Sequence, residues 1–169
     1  MKLTKKERIL LINQYKILAA LHPNESSRYN ELVEILENGF KVFYSMVDEW
    51  ISDEMSEIEG NLVLEILDFY KLLEEYKERN PEIKEVCDHK LSTFMGFDGN
   101  NETEHMFFTR FLINTQGKFS EQEQYAMKTD NYNSYVPMLG IYKKIINKWN
   151  ETGKEYEPTK ERLLEILNT

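Results

Sequence analysis

Apolar residues recur every three or four positions along most of the chain, the period of one face of an α-helix. In the longest such segment, which ends near Arg79, the apolar positions are Leu62, Ile66, Phe69, Leu73 and Tyr76. No segment shows a convincing alternating strand pattern, although a small two-stranded element near residues 117–135 stays open. The pattern predicts an all-α fold, a compact, orthogonal, bundle-like array of about seven to nine helices.

Residues that start and stop helices divide this pattern into segments. Thr4 and Glu7 form a capping box, in which the side chain of each accepts a hydrogen bond from the backbone amide of the other. The helix that begins at this box must stop before Pro23, because proline cannot continue it. Gly39 lies where helices commonly end in a left-handed residue. Pro137 stands at the first position of a later helix. These signals predict helix ends independently of the apolar stripes.

The first helix is predicted to bury one apolar stripe. At 100° per residue, that stripe contains Leu10, Ile17, Leu18 and Leu21. Gln14 falls in the middle of the stripe, so its amide is expected to be buried. A buried amide without hydrogen-bond partners costs about 1–3 kcal/mol, so we expect Gln14 to be bonded inside the protein.

Residues 102–115 are predicted to form the helix at the centre of the core. Apolar side chains surround most of its circumference, which is typical of a helix buried on several sides. They are Met106, Phe107, Phe108, Phe111, Leu112 and Ile113. Only Thr103, Arg110 and Asn114 form a polar strip along this helix.

The composition fits a single domain over residues 1–169. The chain is 41% hydrophobic, which is enough for one core at this length. Its one cysteine, Cys87, excludes an internal disulfide and a cysteine-based zinc site, and it suits a reducing compartment. The N-terminus has no signal-peptide pattern, and no run approaches the 18 apolar residues of a membrane span. We therefore expect a soluble, cytoplasmic protein with no membrane contact.

The net charge of −9 is concentrated in one stretch of the chain. Residues 48–85 contain 13 acidic and 4 basic residues, whereas the remainder contains 17 of each. An acidic surface repels phosphate backbones, so we expect no direct contact with nucleic acid. The stretch is either a solvated helical face that aids solubility or a docking face for a basic protein partner.

No catalytic or metal-binding motif is recognised in the sequence. His22, His89 and His105 lie on different segments, without the helical pairing with His, Cys or Glu that binds a metal ion. Asp98 begins a turn similar to a calcium loop, but the glycine at position six and the acid at position twelve are missing. Gly-rich phosphate loops and a serine nucleophile elbow are also missing. We therefore expect no catalytic residue, no metal and no cofactor.

Polar side chains on otherwise apolar helices are the candidate functional residues. They are Gln14, Arg110 and Asn114, with Asp98 as a carboxylate within reach of Arg110. Such groups must be hydrogen-bonded or must face a polar cavity. One interpretation is a structural network, in which Arg110 binds Asp98 or helix-end carbonyls. The alternative is a small-ligand pocket, in which the Arg110 guanidinium recognises an anion.

Several stretches spread over nearly the whole chain match one known family. They are Asn13, Gln14, Tyr15 and Lys16; the run 29–40 that ends in Glu37, Asn38, Gly39 and Phe40; Gly96, Phe97 and Asp98; Arg110 and Phe111; Pro137 and Met138; and Trp149. In these the chain resembles the YfbU family of bacterial proteins. The resemblance implies an all-helical domain of unassigned activity and no established catalytic residues. Some relatives look like fusions to a helix-turn-helix module, which suggests a ligand-binding or sensory role, but no such module is recognised in these residues.

Together these observations favour a non-catalytic binding or regulatory domain that acts through protein–protein contacts. The chain contains 10 Tyr and 7 Met, more than its core needs, which indicates exposed apolar surface. We therefore expect self-association, with a two-fold dimer favoured. The alternative is a small-ligand sensor or an enzyme, with a polar pocket around Gln14, Arg110 and Asn114.

Overall fold

Nine α-helices and no β-sheet are present in residues 2–169, the part of the chain that our computed structural model describes. The predicted all-α fold of seven to nine helices is confirmed. The helices belong to two compact units: the smaller unit ends at Glu54, and the larger unit spans Met55–Thr169. That residues 1–169 form a single domain stays a prediction. Within the described residues, no helix combines the length and the apolar character needed to cross a membrane.

The unit that ends at Glu54 packs its helices around a small core. Its helices are α1 (Lys5–Leu21), α2 (Ser26–Asn38) and α3 (Ser45–Asp48). The buried apolar side chains are Tyr15, Leu32, Val33, Ile35, Leu36, Tyr44 and Val47. Only Tyr15 among them comes from α1, and Leu11, Ile12 and Leu18 are partly buried around the same core. Helix α1 therefore turns its Tyr15 side inward.

Two of the predicted helix signals are confirmed in this unit. The Thr4 hydroxyl accepts a hydrogen bond from the Glu7 amide at 3.3 Å, and the Glu7 carboxylate accepts one from the Thr4 amide at 2.7 Å. Gly39 follows α2 with a φ of 70°, the left-handed conformation predicted for it. Both ends are defined by local residues, because each signal acts within one helical turn.

The unit Met55–Thr169 is built around its longest helix. Its helices are α4 (Glu57–Arg79), α5 (Lys84–Cys87), α6 (Thr103–Arg110), α7 (Glu123–Ala126), α8 (Leu139–Glu151) and α9 (Lys160–Leu167). A wider π turn, Phe111–Thr115, continues α6. Helix α4 supplies the largest share of the buried apolar side chains, namely Val63, Ile66, Leu67, Phe69, Tyr70, Leu72 and Leu73.

The central helix of this core is therefore α4, and the prediction for residues 102–115 is wrong. Phe107 and Phe111 on that segment are 52% and 44% exposed, whereas Met106 and Leu112 are buried. Phe107 and Phe111 are four residues apart, so they share a helix face, and this face points to solvent. Because apolar residues occur on most sides of this two-turn helix, their pattern could not predict which side would be buried.

The two-stranded element considered for residues 117–135 is not present. A single parallel bridge instead pairs Asn133 with Phe97. The Phe97 amide donates to the Tyr132 carbonyl at 2.9 Å, and the Ser134 amide donates to the Phe97 carbonyl at 3.1 Å. Asp130, Asn131 and Tyr132 all have positive φ, between 44° and 66°. That left-handed conformation interrupts the extended backbone that a strand needs.

Candidate functional site

Arg110 and Asn114 bind the same loop of the larger unit. Arg110 Nε donates to the carbonyl of Asn131 at 2.7 Å, and Arg110 Nη2 donates to the carbonyl of Asp130 at 3.4 Å. Asn114 Nδ2 donates to the side-chain oxygen of Asn131 at 3.1 Å. The guanidinium also lies over the Phe107 ring, 5.7 Å from its centroid. The pair therefore holds a loop with left-handed backbone, and anion recognition by Arg110 stays a prediction.

Asp98 binds its own turn and not Arg110. Its side chain is buried, and its carboxylate accepts hydrogen bonds from Asn101 Nδ2 at 2.5 Å and from the Asn100 amide at 2.9 Å. These bonds, the one from the Asn101 side chain above all, hold the pKa of Asp98 below its ordinary value. Asp98 thus organises the connection that precedes α6.

Gln14 belongs to the unit that ends at Glu54 and is exposed, so the expectation that it is buried is wrong. Helix α1 has two apolar stripes, and its unit buries the one that contains Tyr15. A periodic pattern cannot choose between two stripes on one helix. The choice depends on which side chains fit against α2, and the aromatic ring of Tyr15 buries more surface than a leucine.

The predicted stripe, without the partly buried Leu18, forms what we call the outer face of α1: Leu10, Gln14, Ile17 and Leu21. Its three apolar members are 69%, 54% and 68% exposed. They remain in water although they recur at the spacing of a buried helix face. Large apolar side chains clustered on one surface are a mark of interaction sites. The outer face of α1 is therefore the candidate functional site of the smaller unit.

A buried carboxylate that the sequence analysis missed, Glu102, joins two segments of the larger unit. Its oxygens accept hydrogen bonds from the amides of Asp98 at 3.0 Å, Met138 at 3.1 Å and Leu139 at 2.8 Å. Helix α8 begins at Leu139, two residues after Pro137, and has no side-chain cap of its own. The missing cap was the one signal in the sequence that a distant group must bind the first amides of α8. It did not indicate that Glu102 would be that group.

A second polar cluster links α4 and α6 through His105. His105 Nε2 lies 2.8 Å from Glu59 Oε2, and Lys143 Nζ lies 3.4 Å from Glu59 Oε1. The hydrogen bond with His105, followed by the charge of Lys143, keeps the pKa of Glu59 below its ordinary value. His105 is 5% exposed and packs against the Phe97 ring. The cluster contains a base but no adjacent nucleophile, so we interpret it as a structural hydrogen-bonded contact between α4 and α6.

A third cluster contains the most buried ion pair of the described residues. Lys77 Nζ lies 2.5 Å from Glu74 Oε1 and also donates to the Ser92 carbonyl at 3.1 Å. The Tyr125 hydroxyl donates to the same Glu74 oxygen at 2.9 Å. Burial, together with the bond to Glu74, raises the pKa of Tyr125. Every charge here has a partner, as a buried ion pair requires.

One cleft of the larger unit lies along the solvent side of α4. It has a volume of about 370 Å³, and its lining includes Lys71, Arg79 and Lys154 together with the Trp149 side chain. Lys154 binds Glu65 at 3.0 Å and lies over the Trp149 ring. The cleft is thus lined by charges of both signs, and Arg79 lies 3.6 Å from Glu75 and 3.7 Å from Glu157.

The described residues contain no cluster of three or more His, Cys, Asp or Glu side chains that could hold a metal ion. Each of the three polar clusters pairs its charges through hydrogen bonds and ion pairs within the larger unit. In none of them does a Ser, Thr or Cys side chain bind the acidic or basic group, the arrangement that activates such a nucleophile for acyl transfer.

Comparison with known proteins places these features in one family. The model of the YfbU domain matches residues 1–169. The UPF0304 protein MJECS11 of Methanocaldococcus jannaschii is 48% identical over 168 residues, which cover 98% of this chain and 99% of that relative. Neither description states an activity. The match extends over both units, including the outer face of α1 and the loop bound by Arg110. The chain belongs to the YfbU family.

Proposed function

We propose that the protein is a non-catalytic binding domain that contacts other proteins through the outer face of α1. The observation that carries this proposal is the exposure of Leu10, Ile17 and Leu21, each more than half accessible to solvent. Full burial of such a side chain is worth about 1.5–3 kcal/mol. Binding of a partner that covers all three side chains is therefore favoured by the burial of apolar surface that stays exposed when this unit folds.

The distribution of exposed apolar residues also supports a protein contact through the unit that ends at Glu54. Of the seventeen large hydrophobic side chains that are exposed in residues 2–169, nine lie before Met55, in less than a third of the chain. A unit of this size has a small core and is only marginally stable by itself. Covering its apolar surface would stabilise the unit and supply the binding energy together.

The acidic stretch 48–85 is a weaker candidate for the contact. Its carboxylates Glu59, Glu65 and Glu85 lie 3.4, 3.0 and 2.6 Å from lysines at positions 143, 154 and 160 of the same unit. A basic partner that binds these three carboxylates would have to displace the lysines. We therefore assign the contact to the outer face of α1 and not to the acidic stretch.

Photo-cross-linking in living cells tests the proposal. Benzoylphenylalanine is introduced at Ile17, on the outer face, and in a control at Lys5, an exposed position about 150° around the helix from the centre of that face. We expect irradiation to give protein adducts from position 17 and few from position 5. Equal labelling at the two positions, or no adduct at either, would refute an interaction through the outer face.

A small-ligand role is the second candidate, and the cleft of about 370 Å³ beside Trp149 favours it. Its volume lies within the range of about 300–1,000 Å³ that is typical of small-molecule sites. Native mass spectrometry of protein purified from its own cells tests this role. A retained mass that disappears in the variant Arg79→Ala, but persists in Arg110→Leu, would assign a ligand to this cleft.

A further inference from the structure

We propose that the partner of the outer face of α1 is the same face of a second copy of this chain, packed antiparallel about a two-fold axis. The inference rests on the proposed function and specifies its partner. It follows from the spacing of the four residues, from the charges at the two ends of the helix and from the position of Gln14.

The outer face has a spacing that reads the same in both directions. Its positions 10, 14, 17 and 21 are separated by four, three and four residues. When two such helices pack antiparallel, with the axis between residues 15 and 16, Leu10 lies opposite Leu21 of the second copy. Gln14 then lies opposite Ile17. A two-fold interface requires this self-complementarity, because each patch must match itself.

The charges at the ends of α1 favour the antiparallel direction. Lys6 lies beside the outer face at its N-terminal end, and Glu25 follows the helix at the other end; both are exposed. The antiparallel arrangement places the Lys6 residues of the two copies at opposite ends of the contact. A parallel arrangement would instead place Lys6 next to Lys6, and like charges repel. Antiparallel packing also aligns the two helix dipoles favourably.

Gln14 acquires a role in this arrangement. Along the helix axis, the two Gln14 side chains of the dimer are separated by three residues, or about 4.5 Å. Each amide has a donor and an acceptor, so the two amides can bind each other across the axis. A polar residue within an apolar helix seam fixes the register of the pair. The exposed Gln14 thus selects one alignment of the two helices.

The length of α1 limits the size of the contact, which is that of a weak complex. Helix α1 contains 17 residues and is therefore about 25 Å long. Two such helices in contact form an interface at the lower end of the range for specific complexes, about 1,200 Å² in total. We expect a concentration-dependent dimer with a dissociation constant on the order of micromolar.

Light scattering coupled to size-exclusion chromatography tests the dimer with two matched variants. Ile17→Glu places a charge in the outer face, whereas Ile9→Glu makes the same change about 110° away from the centre of that face, at a similar exposure of 57% against 54%. We expect the wild type and Ile9→Glu to shift from 20.2 kDa towards twice that mass as concentration rises. Ile17→Glu should weaken association by about 100-fold, with an unchanged circular dichroism spectrum.

Disulfide cross-linking tests the direction of packing. In a Cys87→Ser background, Leu10→Cys and Leu21→Cys proteins are mixed in equal amounts and oxidised. The antiparallel dimer should give mainly the mixed disulfide between positions 10 and 21. Predominant 10–10 and 21–21 disulfides would overturn the antiparallel arrangement. A mixture of Ile9→Cys with Leu21→Cys is the matched control and should cross-link slowly.

The outcomes separate this inference from the proposed function. A wild-type protein that stays at 20.2 kDa up to about millimolar concentration would overturn the dimer. If photo-cross-linking at position 17 then still yields adducts with other proteins, the binding role stands and the partner is a different chain. If it yields none, both the inference and the proposed function fail.

Discussion

Three backbone amides from two segments, those of Asp98, Met138 and Leu139, converge on the carboxylate of Glu102. The side chain is 7% exposed, so water cannot readily replace these bonds if the carboxylate is removed. Arg110 acts similarly on the carbonyls of residues 130 and 131. At the scale of single residues, Glu102 and Arg110 both hold irregular backbone of the larger unit in place.

Truncation of Glu102 tests this role. We expect Glu102→Ala to lower the free energy of unfolding by about 3 kcal/mol, because three amides lose a charged hydrogen-bond partner and at least one is left buried without a replacement. Urea denaturation followed by circular dichroism measures the change. The control is Glu104→Ala, an exposed carboxylate two residues away, which should change stability by less than about 0.5 kcal/mol. Equal losses in the two variants would show that Glu102 does not act through these bonds.

The hydrogen bond between Glu59 and His105 gives a pH dependence. The folded protein holds the pKa of Glu59 below its ordinary value of 4.5, so the unfolded chain binds more protons in that range. The stabilisation is therefore present above pH 4.5 and is lost as the pH falls through the lowered folded pKa. We expect the stability difference between wild type and Glu59→Gln to be fully present above pH 4.5 and to shrink below it.

Urea denaturation at a series of pH values measures this difference. Glu78→Gln, an exposed change on the same helix, is the control and should show little pH dependence relative to wild type. A Glu59→Gln difference that stays constant between pH 7 and about pH 3.5 would contradict the linkage.

At the scale of elements, two glycines of the larger unit differ in whether a side chain could replace them. Gly96 has a φ of +81°, and a β-carbon added there would lie 2.0 Å from the backbone carbonyl oxygen of Tyr132. That carbonyl accepts the Phe97 amide in the bridge, so neither segment can move away without breaking it. Gly140 lies within α8, and a β-carbon there would meet no atom within 4 Å. The first position needs glycine, whereas the second is an ordinary helix position.

Alanine substitutions at these two glycines should therefore change the stability of the protein in opposite directions. Gly96→Ala should destabilise the protein by more than about 2 kcal/mol, since it adds both backbone strain and a clash with main-chain atoms. Gly140→Ala should stabilise it by about 0.5–1 kcal/mol through helix propensity. Thermal unfolding measures both changes. Stabilisation by Gly96→Ala would contradict the close approach of the two segments.

At the scale of the whole molecule, the chain has two cores and a connection between them. Residues 51–56 lie outside any helix, and most of their side chains are exposed. Glu54 ends the first unit, and Met55 begins the second. Exposed backbone without helical hydrogen bonds is the preferred site of proteolysis. The connection is therefore expected to open before either core.

Limited digestion with a glutamate-specific protease tests this division. We expect the first cut after Glu54 or Glu49, giving a stable fragment that contains residues 55–169. Mass spectrometry of the early products identifies the cut. A Glu54→Gln, Glu49→Gln double variant should resist this first cleavage. First cuts within α2 or α4 would show instead that the helices open before the connection does.

The sequence alone determined those features that depend on neighbouring residues. The capping box of Thr4 and Glu7, the left-handed Gly39 and the extent of α1 and α4 all follow from interactions within a few residues. Such interactions are the same in any tertiary context, so pattern and residue type suffice. The family resemblance was also visible at this level, because it rests on residue identity along the chain.

Only the tertiary structure decided which side of each helix is buried and which polar residues meet. Helix α1 offers two apolar stripes, and packing against α2 selected the one with Tyr15, so Gln14 is exposed with the other. Glu102 and Leu139 are 37 positions apart, and no local pattern connects them. Burial and long-range bonding depend on how distant surfaces fit together. For this reason the outer face of α1 was present in the sequence as a stripe, and only the fold left it exposed.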